Sequence, residues 1–126
     1  MTVQILAIDD SRTMRNLLNA TLSSAGFEVD LAEDGEAGLR RFDETDPDIV
    51  ITDINMPRLD GFGFIEAARG RQRDRVVPIL VLTTESADEL KARARAAGAS
   101  GWIVKPFDEE KLLWAIQRVS GTGAQG

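Results

Sequence analysis

Asp9-Asp10, Asp53, Thr83-Thr84 and Lys105-Pro106 each follow directly on a short apolar run in this chain of 126 residues. In an open parallel sheet, ligands collect just beyond the carboxyl ends of the strands, so these are the residues whose types and spacing could do chemistry. Any one of them could simply cap a following helix. Acids, hydroxyls and a lysine at successive strand ends suggest more than capping. If the first and third strands are neighbours, their Cα atoms lie near 5 Å apart and Asp9, Asp10 and Asp53 form one cluster. At about 5 Å and an effective dielectric near 20, each ionised pair costs roughly 3 kcal/mol. Such a cluster takes up protons or recruits a cation. With hard oxygen donors and room for water and a substrate oxygen, Mg²⁺ fits better than zinc or a caged calcium. Lys105, two strands from Asp53 and about 9–10 Å across the sheet, closes that gap with its four-carbon stem and an intervening anion. Thr83, one strand away, adds a hydroxyl. Metal, ammonium and hydroxyl around Asp53 equip it to accept a phosphoryl group as the nucleophile.

What the chain lacks narrows the chemistry further. It has no Cys and no His, which removes disulfides, thiolate zinc sites, imidazole bases and any phosphohistidine on the chain itself. Against 15 Lys and Arg stand 21 Asp and Glu, a net charge of −6, the wrong sign for nucleic-acid binding. Hydrophobic residues at 43% and charged ones at 29% are those of a folded globular domain. The length implies one domain, assigned to residues 1–120, with 121–126 as a short small-residue tail and no output domain. No apolar stretch is long enough to span a bilayer and no leader is visible, so the expected location is cytoplasmic with no membrane contact.

Five apolar runs rich in Val and Ile, at Val3–Ile8, Phe27–Ala32, Asp48–Thr52, Val77–Thr83 and Trp102–Val104, alternate with segments of helical period. That alternation predicts a parallel α/β sheet. Met14, Leu17, Leu18, Thr21 and Ala25 share one face of the first helix, which Gly26 stops. The second and third helices fall at about Gly35–Glu44 and Gly61–Arg69. Ala87, Leu90, Ala94 and Ala97 form the stripe of the fourth, and Leu112, Ile116 and Val119 that of the fifth. Trp114 lies nearly opposite the last stripe and is expected at the surface. The loop Arg69–Arg75, with its arginines, reads as a solvated turn.

In combination and in order, Ile8-Asp9-Asp10-Ser11, Asp53-Ile54-Asn55-Met56-Pro57 before Asp60-Gly61, Leu82-Thr83-Thr84-Glu85 and Lys105-Pro106-Phe107 resemble the receiver domain of two-component response regulators, across residues 3–119. The resemblance implies a flavodoxin-like doubly wound fold, five parallel strands ordered 2-1-3-4-5 with helices on both faces. It implies phosphorylation of Asp53 by a histidine kinase with Mg²⁺ held by Asp9, Asp10, Asp53 and the main-chain carbonyl of Asn55. Thr83 and Lys105 match the groups that bind the phosphoryl oxygens, and Lys105-Pro106 a peptide that is usually cis. Thr83 and Trp102 match the switch pair, with Trp where Tyr or Phe is commoner. Asn55 and Glu85 match two variable positions associated with dephosphorylation rate.

Within that family Asp9-Asp10-Ser11-Arg12-Thr13-Met14-Arg15 and Gly98-Ala99-Ser100-Gly101 resemble the stand-alone chemotaxis regulators. Those act by docking on a partner through the fourth helix, fifth strand and fifth helix, where Trp102 and Trp114 lie. The implied partners are a histidine kinase and a downstream protein such as a flagellar motor switch component, the chain being a monomer or a weak activation-dependent dimer. The alternative is a stand-alone receiver serving as a relay intermediate or phosphate sink outside chemotaxis. Three other readings fare less well. A phosphohydrolase with an aspartyl nucleophile wants Asp-x-Asp on the first strand and a cap domain. A flavin mononucleotide binder wants a hydroxyl- and glycine-rich loop where this chain has two carboxylates. A receiver that is never phosphorylated has no need of the complete site. Phosphotransfer is thus expected to be self-catalysed, in a signalling protein rather than a turnover enzyme.

Overall fold

The structure, a computed structural model, describes residues 2–74 and 76–120; the expected tail at 121–126 lies outside them. Strands β1 (Gln4–Ile8), β2 (Glu28–Ala32), β3 (Ile49–Thr52), β4 (Ile79–Thr83) and β5 (Gly101–Val104) alternate with helices α1 (Arg12–Ser24), α2 (Gly35–Thr45), α3 (Gly61–Arg69), α4 (Asp88–Ala97) and α5 (Glu109–Ser120). The strands pair in parallel in the order β2-β1-β3-β4-β5, as the receiver resemblance implied. They are one or two residues shorter at their starts than the apolar runs suggest, and β5 gains Gly101.

Burial follows from position in the sheet. All residues of β3 and β4 are buried, and β1 is buried after Gln4, because helices cover both faces of a parallel sheet. Alternate side chains enter opposite layers. Leu6, Ile8, Val50 and Val81 pack with Phe42, Phe64, Ile65 and Ala94 beneath α2, α3 and α4. Ile5, Ala7, Ile51, Leu80 and Leu82 pack with Leu18, Leu22, Leu112 and Ile116 beneath α1 and α5. The chain passes from β1 outward to β2 and then back to β3 on the other side. The winding of the chain therefore reverses direction between β1 and β3, which opens a crevice at their carboxyl ends.

Two expectations are corrected. Leu17 is 49% exposed and Ala25 lies beyond the helix as its C-cap, while Leu18 and Leu22 face the sheet. Each residue rotates 100° from its predecessor, so when Leu18 points at the sheet Leu17 swings toward solvent. Over its described residues 69–74 the arginine loop is also no plain solvated turn; Arg75 lies outside the described residues. Arg69 donates from Nε (3.0 Å) and Nη2 (2.7 Å) to the Gly98 carbonyl and from Nη1 (2.7 Å) to that of Val77. Arg71 pairs with Asp43 at 2.9 Å. Arg73 pairs with Asp46, donates to the Phe42 carbonyl and lies 4.0 Å over the Phe42 ring. Their partners are far along the chain, so local composition gave no sign of these ties. Among the described residues no helix is long and apolar enough to cross a membrane.

Candidate phosphoacceptor site

The acids meet because β1 and β3 end side by side. Ile8 is in register with Thr52, and Asp53 N donates to the Ile8 carbonyl at 3.0 Å, extending the ladder to the acid itself. Asp9 is tied to the other flank, its N donating to the Ala32 carbonyl at 3.0 Å. One carboxylate oxygen from each of Asp9, Asp10 and Asp53 lies within 4.8 Å of the others. Asp9 and Asp53 are buried and Asp10 is exposed, so the cluster opens to solvent on one side.

Local bonds hold the two buried carboxylates in place. Asp53 Oδ1 accepts from its neighbour Ile54 N at 2.6 Å. Asp9 Oδ1 accepts from Ser11 N at 2.9 Å, and Ser11 in turn caps α1 by accepting from Met14 N. Arg15, one turn into α1, donates from Nη1 to the Asp9 carbonyl at 2.8 Å. Sequence reasoning assigned Arg15 no position in the site; its spacing from Asp9 across a helix start was the available signal.

Lys105 enters from the far side. Its N donates to the Thr83 carbonyl, its peptide to Pro106 is cis, and its Nζ stands 2.7 Å from Asp9 Oδ2 and 2.8 Å from Asp53 Oδ2. The chain thus supplies one cation of its own, which offsets part of the repulsion that the sequence pointed to. Burial would lower the Lys105 ammonium's pKa, but bonds and charges from Asp53 and Asp9 outweigh burial and raise it. For Asp9 burial dominates and pushes the carboxyl above its usual range, against the pull of Lys105 and Ser11.

Three clustered carboxylates against one ammonium, which contacts two of them, leave an excess of negative charge. The donors within reach are hard oxygens, the set suited to a small divalent cation. The residues present therefore fit a divalent metal site.

A raised Asp9 pKa has a readable consequence. Its contribution to stability is full below the unfolded-state pKa and is lost as pH rises through the folded value, where the ionised form opposes folding. In metal-free buffer, the stability of the wild type relative to Asp9→Asn is expected to fall as pH rises from about 4 to 7, measured by urea unfolding. A difference that is flat with pH would contradict this.

Thr83 ends β4 fully buried, its Oγ1 accepting a long 3.4 Å bond from Glu85 N. Asn55 Nδ2 donates to Glu85 Oε2 at 2.9 Å, and Trp102 Nε1 donates to the Glu85 carbonyl at 3.0 Å. Both residues flanking the cluster are thereby joined to half-buried Trp102. Trp114 is 61% exposed, as expected. It borders a groove of about 490 Å³ with Trp102, Ile103 and Arg118, whose guanidinium lies 5.0 Å from the indole.

An acidic cluster with a bridging lysine at the switch point of a 2-1-3-4-5 sheet is consistent with a phosphoacceptor site, and the sequence profile of the response regulator receiver domain matches residues 5–117. The chain belongs to that family and is a signalling domain rather than a turnover enzyme. It is 37% identical over 120 residues to a probable chemotaxis protein CheY of Rhizobium etli, covering 94% of this chain and 93% of that one. The crystallised chemotaxis protein CheY4 of Vibrio cholerae shares 43% identity and superposes with a TM-score of 0.90, covering 94% of this chain and 99% of its own. The receiver domain of sensor histidine kinase PA1611 of Pseudomonas aeruginosa, with magnesium coordinated in its active site cleft, is 28% identical at a TM-score of 0.88, covering 96% and 99%.

Proposed function

We propose that this chain is a chemotaxis-type response regulator of the cytoplasm, which takes a phosphoryl group from a histidine kinase onto Asp53 with Mg²⁺. The observation that carries the reading is the Asp53 carboxylate itself, seated beside Asp9 and Asp10 and bonded to Lys105 Nζ and Ile54 N. Asp53 Oδ2 attacks phosphorus, the bond from phosphorus to the donor's imidazole nitrogen breaks, and the imidazole leaves with its electron pair. Lys105, which stays charged, follows the phosphoryl oxygens and offsets their charge. The Thr83 hydroxyl, lightly held in the structure, is the donor for a further phosphoryl oxygen. Asp9, Asp10, Asp53 and the Asn55 carbonyl would hold Mg²⁺, which supplies charge neutralisation at the transferring group.

Movement of Thr83 toward the phosphoryl group withdraws the acceptor of the Glu85 N–H and disturbs the segment that holds Trp102. Through that residue the change reaches the face of α4, β5 and α5, where exposed Trp114 is the candidate anchor for a downstream protein such as a flagellar motor switch component. Incubation with acetyl phosphate and Mg²⁺ is expected to add about 80 Da, one phosphoryl group, to the intact mass. The adduct should map to the peptide containing Asp53 and fail to form when EDTA is present from the start. No adduct in Mg²⁺, or an adduct indifferent to EDTA, would overturn the reading.

A further inference from the structure

Arg58 is the least expected residue of the loop between β3 and α3. It adopts a left-handed backbone, φ 68°, without being glycine, a conformation that a long side chain takes only where the surroundings compensate. The compensation is visible. Arg58 Nε donates to Asp34 Oδ2 at 2.6 Å, and Asp34 is the buried N-cap of α2, its side chain 4% exposed and its Oδ1 accepting from Ala37 N at 2.8 Å.

A second tie runs alongside the first. Gly35 N donates to the Leu59 carbonyl at 3.0 Å, an approach so close that a Cβ on residue 35 would sit 2.2 Å from that oxygen. The two feet of the loop are joined as tightly, Gly61 N donating to the Ile54 carbonyl at 2.8 Å. The segment from Asp53 to Gly61 is therefore an arch fixed at its feet by the sheet and α3 and at its crown by α2.

Asn55 rides on that arch, two residues from Asp53. From this juxtaposition we infer that Arg58 is a positioning residue. Its ion pair with Asp34 holds the crown of the arch against α2 and so keeps the Asn55 main chain in place for the divalent cation. The inference rests on the reading of Asp53 as a metal-assisted phosphoacceptor. Neither Arg58 nor Asp34 touches a reacting group; they act by removing freedom from the loop that does.

Two substitutions separate the strap from its side effects. Arg58→Gly removes the guanidinium while keeping the left-handed backbone accessible, and Asp34→Asn removes the charge while keeping a good helix cap. Mg²⁺ titrations followed by the amide resonances of Asp10 and Asn55 are expected to show binding weakened about tenfold in each variant. The double variant should be no weaker than either single one, because both remove the same contact. Labelling by acetyl phosphate should slow at limiting Mg²⁺ and recover at saturating Mg²⁺, a split that general loosening of the fold would not give.

Wild-type Mg²⁺ affinity in Arg58→Gly would overturn the strap, as would losses in the two single variants that multiply in the double. In that event the wild type would still label, and the phosphoacceptor reading would stand. A wild type that neither binds Mg²⁺ nor labels would instead remove the reading on which the strap depends.

Discussion

Asp53→Asn is expected to take up no phosphoryl group from acetyl phosphate, a loss of at least about 10³-fold in rate, because a carboxamide is not a competent nucleophile at this centre. The variant should nevertheless fold, since the carboxamide at position 53 still offers a carbonyl oxygen to the Ile54 N–H that Asp53 accepts at 2.6 Å. It also removes one negative charge from a cluster that carries an excess of them. Intact mass separates the outcomes. An unlabelled, folded variant supports Asp53 as the acceptor, whereas a variant labelled at the wild-type rate on a residue outside Asp9 and Asp10 would show that the chemistry lies elsewhere.

Lys105→Ala is expected to lower stability substantially in metal-free buffer at neutral pH. Lys105 Nζ is the ammonium shared by Asp9 and Asp53, at 2.7 and 2.8 Å, and the three side chains are 10%, 1% and 10% exposed. Removing one partner of a buried charge pair strands the other, at a cost of about 3 kcal/mol. Without the lysine, Asp9 loses its main source of stabilisation for the ionised form, so its already raised pKa climbs further. Stability should then increase as pH is lowered from neutral, since protonation restores what ionisation removes. Millimolar Mg²⁺ should restore much of it at pH 7 by binding the folded state. Urea unfolding with and without Mg²⁺ at two pH values checks all of this. Equal stability of variant and wild type in EDTA at pH 7 would contradict it. Transfer to Asp53 should stay slow even in saturating Mg²⁺, because the cation that meets the phosphoryl oxygens is gone.

The acid response of the whole molecule contains an opposing component. At Asp34 burial raises the carboxyl, but the Ala37 N–H and Arg58 together outweigh it and hold the pKa below the usual range. Such a group stabilises the fold above its unfolded-state pKa and loses that contribution as pH falls through the folded value. Asp9 and Asp34 thus pull the pH profile in opposite directions, one at the centre of the site and the other at its brace.

Much of this was legible in the sequence because it is encoded locally. Apolar runs such as Ile49–Thr52 with an acid directly after them set both a strand and the residue at its tip. The strand order came with the receiver resemblance, and the register then brought Asp9 to Asp53. What stayed hidden depends on partners distant in the chain. Nothing near Arg69 announces the carbonyl of Gly98, and nothing near Arg58 announces Asp34. Likewise the reach of Lys105 could be estimated, but its sharing between two carboxylates could not, since that depends on where the side chain settles. Leu17 illustrates a different limit: a helical stripe drawn at 100° per residue has a width, and only packing against the sheet decides which edge of it is wet.

Burial falls off from β4, where all residues are enclosed, to β5, where none is. Local opening therefore demands different amounts of energy across one sheet. Amide hydrogen exchange should be slowest in β1, β3 and β4 and markedly faster in β5. The nucleophile sits at the tip of the stiffest strands, while Trp102 belongs to a strand that yields easily. A chemical event at the rigid end can thus be transmitted by the compliant end without loosening the seat of the reaction itself.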